Sequence, residues 1–235
     1  MLNGISRKLQ MGLLAVLLSF RVLANDGFDP GVPVLRLQKD AARDREWMLT
    51  PRGVVVVDIK ARRSPVFIDL PEWTWADEAY TCPPDIALGP KGEALVSSNV
   101  VPSLWRIDPA SLRVTRHDLV LDAHLDKDVG FTGLVYAPTL GVYFAVSEYG
   151  ALWRIDPLLR RAQEIRLNQP IGRPCALSEL PRSHNRNFRR LIGLCAQGGG
   201  GHWTISISPD QRSGYVRPSC QLKVKAPQAR GLSQR

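Results

Sequence analysis

The hexapeptide Leu-Trp-Arg-Ile-Asp-Pro occurs twice in this chain, at residues 104–109 and 152–157, with similar sequence ahead of each copy. A repeat of this length commits the chain to a modular architecture, and the make-up of the unit points to β-structure. Each clear copy has four short stretches rich in Ile, Leu, Val, Tyr or Trp, separated by Gly, Pro, Asn and Asp, the pattern of short strands and turns. The stretches are 84–92, 93–99, 103–108 and 112–121 in the first copy, and 131–138, 141–148, 151–156 and 162–167 in the second. Pro90 and Gly92 supply a tight turn. The Asp-Pro pair after Ile107 and Ile155 ends a strand, because proline has no N–H for the next ladder bond. Alternation puts Leu104 and Arg106 on one face and Trp105 and Ile107 on the other. Trp105 and Trp153 are therefore expected to pack in the core or between modules, with Arg106 and Arg154 covering outer strands by their stems.

A weaker unit comes first, with residues 53–59 and 65–70 matching the last two strands of a module and 34–37 and 46–49 its first two. A fourth follows at 175–180, 191–195, 202–207 and 214–217, carrying an insert at 181–190 and a glycine run in 197–201. The expected organisation is a domain over 25–220 with modules at about 33–70, 84–121, 131–167 and 175–217, and a flexible basic tail at 221–235. Four-stranded modules in series tend to close radially. The expected fold class is therefore all-β and β-propeller-like, with about four four-stranded modules in a small or incomplete propeller. The run Asp85-Ile86-Ala87-Leu88-Gly89-Pro90-Lys91-Gly92-Glu93-Ala94-Leu95-Val96-Ser97-Ser98-Asn99, followed by Leu104-Trp105-Arg106-Ile107-Asp108-Pro109, resembles the repeat of NHL and YVTN-type β-propellers. That resemblance implies the fold and says little of function, since such propellers serve as binding scaffolds, as lactonases and as parts of assemblies.

Residues 1–24 read as a signal peptide: Arg7 and Lys8 precede an apolar stretch at 11–20, and Val22, Leu23 and Ala24 suit cleavage after Ala24. Arg21 interrupts the approach to that site and leaves an uncleaved N-terminal anchor as the alternative, although the apolar stretch is too short to span a bilayer. No transmembrane segment is expected after the signal, and the location expected is periplasmic or secreted. Cleavage lowers the formal charge from +9 to +6. The remaining basic excess sits in 182–190 and in the tail with Lys223, Lys225, Arg230 and Arg235. Such patches attract anions, yet export argues against nucleic acid as a partner. Cys82, Cys175, Cys195 and Cys220 form an even set in an oxidising compartment, so two disulfides are expected. Three pairings exist; the preferred one joins Cys175 to Cys195 within a module and Cys82 to Cys220 across the chain. One disulfide with buried thiols is the alternative, and the spacings do not resemble a zinc site.

Aligned modules set Asn99 opposite Glu148, each just before the turn into a third strand. The connection 122–128, with Asp122, His124, Asp126 and Asp128, is the densest carboxylate cluster. Asn99, Asp126 and Glu148 are the candidate metal ligands, an oxygen-rich set suited to calcium. A resemblance to gluconolactonase-type propellers, which hold a central divalent ion with carboxylates and amides, implies the alternative function of a divalent-metal-dependent lactonase or esterase-like hydrolase. No catalytic residue is assigned, because His124 has no identifiable nucleophile beside it. The glycine run leads into a strand-like segment at His202 and Trp203 and lacks the Lys-Ser/Thr of a phosphate loop. The leading expectation is a binding or assembly protein without a catalytic site or a required cofactor. Its contact residues would be Trp73, Trp75 and Tyr80 in the long connection 71–83, with Arg189 and Arg190 for an anion or sugar. The partner class stays open between a protein and a small molecule or glycan, and a homo-oligomer is compatible with the repeat.

Overall fold

The computed structural model describes residues 32–61, 63–77, 82–122, 129–180, 192–198 and 201–218. The first sheet runs in chain order through β1 (Arg36–Asp40), β2 (Arg45–Thr50), β3 (Gly53–Asp58) and β4 (Val66–Ile68), all antiparallel. The second repeats this with β5 (Ile86–Leu88), β6 (Ala94–Val96), β7 (Ser103–Ile107) and β8 (Val114–Asp118). Two further antiparallel meanders follow. One comprises β10 (Gly133–Ala137), β11 (Val142–Val146), β12 (Leu152–Ile155) and β13 (Arg161–Leu167). The other comprises β14 (Pro174–Glu179), β15 (Ile192–Gly198), β16 (Gly201–Ile207) and β17 (Ser213–Pro218). A short strand, β9 (Val120–Asp122), lies ahead of β10.

The sequence explains the strands and their turns. In β7, Trp105 and Ile107 point into one buried cluster while Leu104 points into another, as alternation requires. The turn after each doubled hexapeptide is built by its aspartate as much as by its proline. Asp108 Oδ1 accepts the N–H groups of Ala110 and Ser111, and the Asp156 carboxylate accepts those of Leu158, Arg160 and Arg161. These side-chain turns satisfy backbone donors that the ladder leaves behind.

The expected four separate blades are not what forms. β13 pairs in parallel with β17 through Arg166↔Ser213 and Leu167↔Gly214, and β9 pairs in parallel with β13 through 161–163. The third and fourth meanders are thereby one nine-stranded mixed sheet. Its end strands return against each other: Thr132 Oγ1 donates to Pro174 O, and a Cβ on Gly133 would meet the backbone of Ala176 and Leu177. The sheet curls into a near-barrel around Phe144, Leu152, Ile165, Leu194 and Ile205. The propeller-like fold class, and with it the NHL/YVTN-type assignment, is corrected accordingly. The cause is local. The stretch 112–121 read as one strand breaks at Leu119, whose N–H donates to Pro102 O, and Val120 N–H then turns to Arg160 O on the neighbouring meander.

A second cluster, including Trp47, Val54, Ile86, Val96 and Trp105, fills the space between the first two sheets, and a third, with Leu95, Phe131, Tyr143 and Trp153, lies between the second sheet and β10–β13. The disulfide preference is corrected too. Cys82 bonds to Cys175, with Cα atoms 4.9 Å apart, and Cys195 is disulfide-bonded as well. Cys220 lies outside the described residues, as do the signal peptide and the basic tail. No helix among the described residues is long and apolar enough to cross a membrane.

Candidate functional site

The connections between meanders and the turns after β6 and β11 gather at one end of the molecule. Ser98 Oγ donates to Thr74 O in the connection 69–85, and Phe131 N donates to Ser98 O from the connection 119–132. Ile171 N donates to Gly150 O, tying the third connection to the β11–β12 turn. Only glycine serves at 150: its φ is +82° and a Cβ would lie 1.8 Å from Ile171 O. The Cys82–Cys175 bond joins the first connection to the start of the fourth meander at this same end.

Beneath it lies a buried polar hub that links the first strand of every meander. Asp85, just ahead of β5, accepts Ile86 N at 2.9 Å on Oδ1 and Leu134 N of β10 at 2.8 Å on Oδ2. Arg36 of β1 sets its Nε 3.4 Å from Asp85 Oδ1 and donates through Nη2 to Cys175 O of β14 at 2.6 Å. Burial pushes the Asp85 carboxyl up to about 6, against the lowering effect of Arg36 and of the two N–H groups. This arrangement is a clasp, with every polar atom of Asp85 occupied by protein.

Of the candidate ligands, Asn99 is buried and its amide is spent on the first connection. Its Oδ1 accepts Ala76 N at 3.0 Å, and its Nδ2 donates to Ala76 O at 2.6 Å and Cys82 O at 3.1 Å. Glu148 sits half-buried in the β11–β12 turn. Asp126, His124 and Asp128 lie outside the described residues. No group of three His, Cys, Asp or Glu side chains among the described residues is placed to hold a metal. Asn99 thus staples the first connection in place through both ends of its amide.

The aromatic candidates stand on that stapled connection. Trp73 and Trp75 stack with centroids 6.1 Å apart and planes 25° from parallel. Trp73 Nε1 donates to Ser97 O and Trp75 Nε1 to Pro51 O, so both rings are half-buried and fixed, flanked by exposed Glu72, Thr74 and Asp77. Tyr80, Arg189 and Arg190 lie outside the described residues.

Two features had no place in the sequence reading. The hub is one, since Asp85 and Arg36 are separated along the chain and neither stands in a motif that pairs them. Tyr149 is the other. It is 71% exposed at the tip of the β11–β12 turn and overhangs a groove of about 460 Å³ along β13. An aromatic between Glu148 and Gly150, where the first copy of the repeat has Val100, is the signal that marks it.

No protein-family model matches the chain, and no curated protein matches it in sequence. Solved structures match its fold. An auxiliary nutrient binding protein from Bacteroides ovatus is similar with a TM-score of 0.55 at 10% identity, over 79% of this chain and 46% of that one. Another, from Bacteroides thetaiotaomicron, gives 0.53 at 10% identity over 80% and 43%. The Malassezia sympodialis allergen Mala s 1 gives 0.47 at 12% identity over 76% and 60%. This chain thus spans less than half the length of the two nutrient binding proteins. Neither nutrient binding protein bears the name of the NHL/YVTN-type family expected from the repeat, and at 10% identity the likeness is one of fold.

Proposed function

We propose that this chain is an exported binding protein, periplasmic or secreted, whose contact surface is the end of the molecule that carries the connections. The observation behind this reading is the Trp73/Trp75 pair, two stacked indoles held by hydrogen bonds on a connection that Asn99 and Ser98 staple in place. Large aromatic rings fixed before a partner arrives lose little entropy on binding and are the residue types that dominate contact energetics. A role in binding also fits the fold likeness to two nutrient binding proteins. Disulfides and the N-terminal signal fit an oxidising compartment outside the cytoplasm. Tyr80 belongs to the same connection by sequence, and the partner in this reading is a protein or a small molecule or glycan.

The test is affinity capture from the exported fraction with tagged full-length protein, beside a Trp73→Ala/Trp75→Ala variant. A partner retained by the wild type and reduced at least about tenfold in the variant, with unchanged melting temperature, is the expected result. Equal capture by both proteins would remove the aromatic pair from the contact surface.

A further inference from the structure

The groove under Tyr149 continues across β13 into a second hollow of about 480 Å³, and the two share Glu164 and Arg166. Each is of the size that small-molecule sites occupy, roughly 300–1,000 Å³. Together they form an elongated cleft with the exposed Tyr149 ring at one end and Asp210 and Arg212 at the other. We propose that this cleft binds a neutral oligosaccharide laid across β13. The proposal goes beyond the binding reading above, since it places a ligand site away from the Trp73/Trp75 pair.

The chemistry of the lining selects that class. Glu164 and Asp210 balance Arg166 and Arg212, so the cleft has no excess charge to hold a phosphate or an acidic sugar. Its lining combines acceptors and donors: carboxylates that only accept, guanidiniums that only donate, and the amides of Asn168 and Gln169 that do both. Sugar hydroxyls, each both donor and acceptor, complement such a mixture. An exposed tyrosine face offers a flat apolar surface for the C–H face of a sugar ring, with its hydroxyl left wet. The floor is held before any ligand arrives. Asn168 Oδ1 accepts Val216 N at 2.6 Å, Gln169 Nε2 donates to Val216 O, and Arg166 N donates to Arg212 O at 3.1 Å. The Ser208 hydroxyl donates to Asp210, which also accepts Arg212 N, and these bonds hold that carboxyl below its usual range and so ionised at neutral pH.

Isothermal titration calorimetry of the full-length exported protein decides the matter, using maltohexaose, cellohexaose, laminarihexaose and chitohexaose as probes and sialyllactose and inorganic phosphate as charged controls. At least one neutral hexasaccharide is expected to bind, with affinity lowered about tenfold or more by Tyr149→Ala and by Arg166→Ala and left unchanged by Leu37→Ala, at an exposed position on β1. Both cleft positions are exposed, and unchanged thermal melting confirms that the variants fold. Absence of binding by all four sugars overturns the proposal, as does binding indifferent to Tyr149 and Arg166 or tighter binding of either charged control. If the sugars fail while Trp73/Trp75-dependent capture succeeds, the cleft assignment falls and the wider binding reading stands.

Discussion

Asp85 touches two other meanders besides its own, through Leu134 N of β10 and Arg36 of β1, and Arg36 reaches the fourth through Cys175 O. A carboxylate so placed is costly to ionise because water is excluded, and the ion pair and two N–H donors offset only part of that cost. The consequence for stability has a definite sign. The folded carboxyl titrates near 6 and the unfolded one near 3.8, so the folded state binds the extra proton between those values. The contribution is fully present below about pH 4 and is lost as pH rises through 6, a change of about 3 kcal/mol. Urea melts from pH 4 to 7 are expected to show this decline in the wild type and its absence in Asp85→Asn. A wild-type curve that does not fall relative to that of Asp85→Asn over this range would refute the assignment. The hub shows why residue roles were only half legible. The apolar half of the repeat declared itself, since Trp105 and Trp153 are fully buried as alternation demands. Asp85 stood in the same motif, but its partners lie 49 residues away at Leu134 and in a different meander at Arg36, and no local pattern encodes such a meeting.

The first connection shows the same division between strand and loop. Runs such as 53–59 and 104–108 read as strands from β-branched and aromatic content, and β3 and β7 form there. The connection 69–85 has no period to read, and its shape comes from Asn99, Ser98 and two indole N–H groups meeting backbone carbonyls and amides that only the fold brings near. The covalent tie follows this geometry, since Cys82 is delivered to Cys175 by the end of that connection and not by closeness in sequence. It closes a loop of 93 residues, which by chain entropy restricts the unfolded state by about 4–5 kcal/mol. Cys82→Ala/Cys175→Ala is expected to lose about 2–5 kcal/mol in chemical denaturation, and non-reducing peptide mapping should recover the 82–175 linked pair. Recovery of Cys82 linked to Cys195 would contradict the pairing.

At the scale of the molecule, a pairing of two residues on each strand decides the architecture. Strand content was legible because it is written in each module, whereas the register of β13 with β17 spans just Arg166, Leu167, Ser213 and Gly214, too few to leave a signature. The joint makes β10–β17 one cooperative body around a common core. Native-state hydrogen exchange should therefore show the core amides of β11, β12, β15 and β16 opening with the same free energy. A fourth meander that opens at markedly lower free energy than the third would separate them again. The same seam sets an order of events for a chain delivered N-terminus first. β13 is complete 46 residues before Ser213 begins β17, and until then its outer edge at Arg166 and Leu167 is an unpaired template open to other chains. Arg161, Glu164 and Arg166 place three charges along that strand, the residue types that keep a waiting edge from accepting the wrong neighbour.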